Sequence, residues 1–313
     1  MRRTSSLIGP SLSLVVLAAL AALVVLLAGC GDGRDRRTGD GAVSDTGFSR
    51  DSTAIPRDGT TPDASSGNCA TAARWVYLVD SDQSFLRFQP DDLSITTVGR
   101  LDCVGGVSPF SMSVDRNGQA WVLHQDRRIY KVSTTDASCT PTDYTPNQNG
   151  LELFGMGFAA DADMSTEETL FVAGGGSSSV ASGTSTLASI DDVSLAVSTV
   201  GSLPGWPELT GTGSGELWGF FPDTSPPSVR RIDKSTATTA ESFGMPALSG
   251  STPAAWAFAF WGGRFYVFYQ ALLDPSTNVW RVDPDGTVTQ VLTNIGYRIV
   301  GAGVSTCAPV ELI

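Results

Sequence analysis

The stretch "AWVLHQDRRIYKVSTTDASC", residues 120–139, holds two short β-rich runs, "AWVLHQ" and "IYKVS", joined by a polar turn. Its meaning lies in recurrence. Runs of the first kind return as "RWVYLV" from Arg74, "TLFVAG" from Thr169, "ELWGFF" from Glu216 and "RFYVFY" from Arg264. Aligning Trp75, Trp121, Leu170, Leu217 and Phe265 gives steps of 46, 49, 47 and 48 residues. Runs of the second kind follow each of them: "FLRFQ" (85–89), "LASID" (187–191), "VRRID" (229–233) and "VWRVD" (279–283). A third run rich in Thr and Val comes next. Upstream of each strong run lies one of small residues: "SMSV" (111–114), "GMGF" (155–158), "LTGT" (209–212) and "AFAF" (257–260).

Short apolar and β-branched runs bounded by turn residues are strands. Asn117-Gly118, Gly262-Gly263 and Asp285-Gly286 supply the positive φ angles of two-residue hairpin loops. No sustained 3.6-residue apolar period follows residue 69, so helices should be scarce. Four antiparallel strands repeating about every 48 residues predict an all-β fold, a β-propeller. A sandwich would also give short strands, but not this period. Residues 69–313 divide by that period into five blades, with six open if one blade is degenerate. The first unit starts directly at its strong run, and the last piece, "IVGAGVSTC" (299–307), is small-residue in character. This C-terminal strand is therefore expected to pair into the first blade and close the ring.

The phrases "SVDRNGQAWV" and "VWRVDPDGTV" resemble those of extracytoplasmic propellers of the NHL, streptogramin-lyase-like and YncE-like type. The resemblance covers blade geometry over about 245 residues and carries no catalytic residues with it.

The N-terminus reads as a targeting device. Arg2 and Arg3 precede an apolar run from Leu14 to Ala28. As a helix it would span roughly 22 Å, short of a ~30 Å hydrocarbon core. "LAGC" (27–30) resembles a bacterial lipobox, which implies cleavage before Cys30 and acylation of that residue. An ordinary secretory peptide or short anchor is the alternative. Residues 1–29 are thus a signal peptide and 30–68 a lipidated cysteine plus tether. Residues 31–68 are Gly, Asp, Ser, Thr, Arg and Pro with only Phe48 and Ile55 as bulky apolar groups, a composition that favours disorder. Such a segment reaches roughly 35 Å r.m.s.. The third domain, 69–313, is the propeller. The expected setting is the bacterial cell envelope, outside the cytoplasm, with membrane lipid as partner through Cys30.

Residues 1–68 hold seven Arg and seven Asp, so the whole net charge of −12 falls on 69–313. So acidic a surface repels phosphate backbones and argues against nucleic acid as partner.

Four cysteines remain beyond Cys30. In an exported chain, an even number implies disulfides. Cys307 ends the proposed inner strand of blade one and Cys69 precedes its neighbour, so these two should bridge. Cys103–Cys139 then follows by elimination, less easily, because the two lie nominally on opposite faces. Free thiols or metal ligands are the alternative, but no CxxC spacing supports metal.

Candidate chemistry is sparse. With one histidine, a histidine-pair metal site is excluded, and no G-x-S-x-G turn accompanies His124. Propeller glycosidases would need channel-facing acids from several blades. Only Asp115, Asp161 and Asp163 lie at inner-strand ends, and the inner strands of blades four, five and one carry none. "DADMSTEE" (161–168) alternates oxygens, and Asp161, Asp163, Ser165 and Glu167 could wrap Ca²⁺, the only cofactor considered. The glycine of a true calcium loop is missing. Connections between second and third strands swell in the later blades, and the blade-to-blade links emerge on the same face. Trp206 and Phe221 are expected there as exposed aromatics suited to a glycan or protein ligand. The expected role is a binding module at the envelope, with a carbohydrate-active hydrolase or lyase and a purely structural protein as alternatives.

Overall fold

A computed structural model describes residues 69–103, 105–176 and 183–311. Residues 1–68, where a signal peptide, a lipidated Cys30 and a tether are expected, lie outside the described residues. Twenty strands form five four-stranded antiparallel sheets, the five blades of a propeller. Blade two is β4 (Pro109–Val114), β5 (Gln119–His124), β6 (Ile129–Ser133) and β7 (Cys139–Pro141). Blade three is β8 (Leu153–Ala160), β9 (Glu168–Gly175), β10 (Thr184–Ile190) and β11 (Val197–Pro204). Blade four is β12 (Glu208–Gly211), β13 (Leu217–Phe221), β14 (Ser228–Ile232) and β15 (Thr239–Gly244). Blade five is β16 (Pro253–Trp261), β17 (Arg264–Ala271), β18 (Asn278–Val282) and β19 (Val288–Leu292). Only three short 3₁₀ turns accompany the strands among the described residues.

Blade one is closed by both ends of the domain. Its sheet runs β20 (Ile299–Gly303), β1 (Val76–Asp80), β2 (Ser84–Gln89), β3 (Ser94–Arg100). Tyr77 pairs with Gly303, Leu78 with Ala302 and Val79 with Gly301. The strand is shorter than the 299–307 run, because residues after Gly303 leave the sheet.

Each blade buries both faces, so its second strand is apolar without alternation: "VYLVD" of β1 and "LWGFF" of β13 are buried throughout. Five apolar clusters fill the five gaps between neighbouring blades. One joins Leu78, Leu86 and Phe88 of blade one to Tyr266 and Phe268 of blade five. Another joins Trp121 and Leu123 of blade two to Phe154, Met156 and Phe158 of blade three.

Small inner-strand residues permit backbones of adjacent blades to touch. A Cβ on Gly155 would stand 2.5 Å from the Pro207 carbonyl oxygen, and one on Gly303 2.9 Å from the Ser113 Cα. Ser113 Oγ and Thr210 Oγ1 accept the amides of Phe158 and Phe260 in the next blade, at 3.0 and 3.1 Å.

The turn between third and fourth strands is repeated in every blade. Asp92, Asp136, Asp191, Asp233 and Asp285 each accept a backbone N–H from a Ser or Thr two or three residues on. Leu93, Ala137, Leu195, Ala237 and Gly286 follow at φ from +59° to +82°. Such side-chain-closed turns fix the hairpins independently of the core.

Both disulfides form, Cys69–Cys307 and Cys103–Cys139, with Cα separations of 5.9 and 5.1 Å. The second reconciles nominally opposite faces through the packing of one blade on the next. Gly99 of β3 has no side chain, and the β6–β7 turn nests against it at Ala137, bringing Cys139 within reach of Cys103.

Candidate functional site

The ring has two unlike faces. One carries the tight hairpins between first and second and between third and fourth strands. The other, the loop face, carries the second-to-third connections and the links between blades.

The tight-turn face is sealed. Residues 304–308 are buried. The segment after β20 meets the hairpins of the other four blades in turn. Thr306 Oγ1 accepts from Arg116 Nη1 of blade two at 3.0 Å and donates to Glu168 Oε2 of blade three at 2.7 Å. Gly213 of blade four lies against the Thr306 carbonyl, and Gly262 of blade five donates to Pro309 O at 2.7 Å. The segment therefore crosses the ring axis, and Cys307 pins it to Cys69, where the described chain begins. Glu168 also accepts the Arg116 backbone N–H at 2.7 Å. Burial raises its pKa to about 7 against these hydrogen bonds, with the nearby Asp115 adding to the rise.

The axis itself carries a carboxyl. β12 begins one residue before the "LTGT" run, so its first residue is Glu208, which corrects the expectation of an acid-free inner strand in blade four. Glu208 is 3% exposed and lies over the space left by Gly155. Its Oε2 accepts from Ser111 Oγ of blade two at 2.9 Å. Burial drives its pKa well above the usual range, opposed by Ser111 and the Met156 backbone N–H. Burial thus favours its protonated form.

The candidates named from sequence are occupied locally. Asp115 Oδ1 accepts the amides of Asn117 and Gln119, both at 2.9 Å, and Oδ2 accepts Trp121 Nε1 at 3.0 Å. These bonds close the β4–β5 turn. Asp161 accepts from Thr169 Oγ1 at 2.7 Å, and Ser165 Oγ accepts the Glu167 amide at 3.0 Å. The Lys234 ammonium of blade four sits on the carbonyls of Ala160 and Asp161, at 2.7 and 3.1 Å. Among the described residues no three His, Cys, Asp or Glu side chains are gathered to hold a metal, so Asp161, Asp163 and Glu167 are not brought together as ligands. His124 is 1% exposed, its Nδ1 3.0 Å from the Val107 carbonyl and its ring against Tyr130. Burial lowers its pKa.

The two loop-face aromatics part company. Phe221 is 0% exposed, packed between blades three and four under the Arg230 guanidinium. It is a core residue rather than a loop-face contact, because either face of a blade strand meets a neighbouring blade. Trp206 is half-buried on the loop face. Gly205, at φ +65°, turns the link, and the Trp206 amide donates to Asp223 Oδ2 at 3.3 Å. The Trp206 Nε1 is covered and has no hydrogen-bond partner among the described residues. An unmade bond of this kind costs about 1–3 kcal/mol. Asp223 is exposed, yet partial desolvation raises its pKa against that amide bond. Trp256, half-buried, pairs across the sheet with Tyr269 on the side facing blade four. The Tyr269 hydroxyl bonds Ser251 Oγ at 2.7 Å. Burial raises the Tyr269 pKa, and Asp274 and Asp223 add to the rise against that bond. Trp256 and Tyr269 belong to the apolar cluster between blades four and five. Sequence missed all but Trp206, because Tyr269 and Trp256 stand in runs indistinguishable from core. Leu272 and Leu273 on the loop face are 67% and 95% exposed, and Met164 and Val193 on the tight-turn face 66% and 88%.

Charge divides the faces too. The tight-turn hairpins hold thirteen Asp or Glu and two basic residues, the loop-face segments seven and three. On the tight-turn face, hydrogen bonds to the turn carboxylates lower the pKa of Asp92, Asp136, Asp191 and Asp285, and that of Asp233 to about 2. No known family matches the chain, and no curated protein matches it, so the reading of these faces rests on the residues themselves.

Proposed function

We propose that this chain is a lipid-anchored, extracytoplasmic propeller that acts as a binding module at the bacterial envelope, offering its loop face to a glycan or protein. The observation that carries this reading is the asymmetry of the ring. The tight-turn face is crossed by 304–310 and receives the chain at Cys69, while the loop face carries the longer connections between strands and between blades, with Leu272 and Leu273 exposed. The tight-turn face also exposes two apolar side chains, Met164 and Val193. A tether preceding Cys69 would join the domain on the face crossed by 304–310. Acylated Cys30 supplies the anchor. The acidic face is repelled by anionic lipid over a Debye length of about 8 Å, and a tether reaching roughly 35 Å leaves room for the disc to stand clear.

The mechanism is presentation. Rigid blades hold loops of different length at fixed positions, and a ligand that fits them loses little conformational entropy of the protein on binding. The test is binding of the full-length chain in detergent to a glycan array and to solubilised envelope proteins. Capture that is lost when Trp206 and Leu273 are replaced together by Ser supports the reading. Capture lost instead on replacing Lys234 and Val193, on the opposite face, would refute it.

A further inference from the structure

We propose that the seam disulfide is a redox latch: reduction of Cys69–Cys307 by a dithiol frees the 304–310 strap from the ring while the five blades stay folded. The latch lies on the tight-turn face and is independent of what the loop face binds. No residue of 304–310 belongs to a strand. Three polar contacts fasten the strap besides the bridge: Thr306 with Arg116, Thr306 with Glu168, and the Gly262 amide on Pro309 O. Hydrogen bonds of this kind contribute about 0.5–1.5 kcal/mol each. Val304 and Ala308 add small side chains to the cluster between blades five and one, and Val310 packs against the cluster between four and five. A segment held this way opens locally at lower cost than a strand paired within a blade.

Arg116 poises the bridge. Its Nη2 donates to Cys69 Sγ at 3.4 Å and its Nη1 to Thr306 Oγ1 at 3.0 Å, so one guanidinium touches both the sulfur and the strap. Its backbone is fixed in turn. The Arg116 amide donates to Glu168 Oε1 at 2.7 Å, and its carbonyl accepts the Ala70 amide at 3.2 Å. A guanidinium beside a sulfur lowers the thiol pKa and stabilises the thiolate that reduction releases. The Glu168 carboxylate opposes this charge, and burial, which raises its pKa to about 7, limits the opposition. The other bridge is built differently. Cys139 Sγ meets the Ala137 carbonyl, and among the described residues no Arg or Lys donates to Cys103 or Cys139.

The exchange takes two steps. A thiolate of the dithiol attacks Cys69 Sγ, since Cys69 is partly exposed and Cys307 only 1% exposed. The Sγ–Sγ bond breaks, and Cys307 leaves as a thiolate that takes up a proton. The second sulfur of the dithiol then attacks the first, forming a cyclic disulfide and expelling the Cys69 thiolate beside Arg116. Two electrons pass from the dithiol to the protein bridge.

The experiment titrates the full-length chain in detergent with dithiothreitol. Mass spectrometry reads each bridge, and amide exchange reads the segments. The expected result is opening of Cys69–Cys307 with exchange in 304–310 at least tenfold faster and exchange in β13 and β17 unchanged. In the reduced protein, the pH midpoint of Cys69 alkylation should lie at least one unit below the ordinary value of about 8.5. Arg116→Gln should return it to about 8.5, and Arg116→Lys, which keeps the charge, should leave it lowered. An arginine with a structural role alone would give one midpoint in all three proteins. Exchange in 304–310 that reduction leaves unchanged overturns the latch, as does a bridge that opens only when all five blades unfold. Equal Cys69 midpoints in the parent and Arg116→Gln overturn the part given to Arg116.

Discussion

At the scale of single residues, the buried carboxyls set the pH dependence. Glu208 and Glu168 both have folded pKa values above their ordinary 4.5, Glu168 at about 7. A carboxyl with a raised folded pKa binds its proton more tightly in the native state. The stability it confers is complete below about pH 4.5 and is lost as pH rises through the folded value. For Glu168 the window is pH 4.5 to about 7, and the loss is no more than about 3 kcal/mol. The melting temperature should therefore fall between pH 5 and 8. Glu208→Gln, which keeps the shape and cannot ionise, should flatten the curve and raise the melting temperature at pH 8 while changing little at pH 5. Identical pH profiles for the variant and the parent would show that Glu208 is not held protonated. Neither group was legible as special in the sequence. Glu208 follows Pro207 ahead of a small-residue run, and nothing local says that the strand begins there. Burial of either group depends on contacts more than 90 residues distant for Glu208 and more than 50 for Glu168.

At the scale of elements, the strands and their turns were readable, because each hairpin is specified within a few residues. The repeated Asp turn, the glycine hairpins and the small-residue inner strands are local signals that agree with the global ring. Inner-strand glycines are the strictest of them. Gly155→Ala drives a methyl group into the Pro207 carbonyl and the Glu208 backbone, at 2.5 and 2.8 Å, which requires backbone displacement. It should cost about 1–3 kcal/mol by overpacking, measured by urea denaturation. The seam bridge was also foreseeable, since ring closure sets the ends of the domain side by side. Cys69→Ser with Cys307→Ser should cost about 2–5 kcal/mol. Its effect should concentrate at the seam, with faster amide exchange in β20 and β1 than in β13 or β17. Uniform acceleration across all blades would contradict a local clamp. What the sequence did not disclose is the course of 304–310. A segment without strand period or turn motif gives no direction of travel, and its place across the axis follows only from the hairpins of four other blades. Phe221 illustrates the same limit, since a strand buried on both faces has no outward side to read.

At the scale of the whole molecule, the proposed function gives the two faces two tasks: the acidic face, where Cys69 lies, would receive a tether, and the loop face would meet a partner. No helix among the described residues is long and apolar enough to cross a membrane; the proposed membrane attachment is through Cys30. Cys30→Ser should abolish incorporation of radiolabelled palmitate; label retained in the variant would exclude Cys30 as the acylated residue. The division of faces is tested most directly by photocrosslinking the protein in its native envelope, with benzoylphenylalanine placed singly at Trp206, Leu273, Met164 or Val193. The account predicts adducts from the first two positions, on the loop face, and none from the last two. Adducts confined to Met164 and Val193 would contradict it.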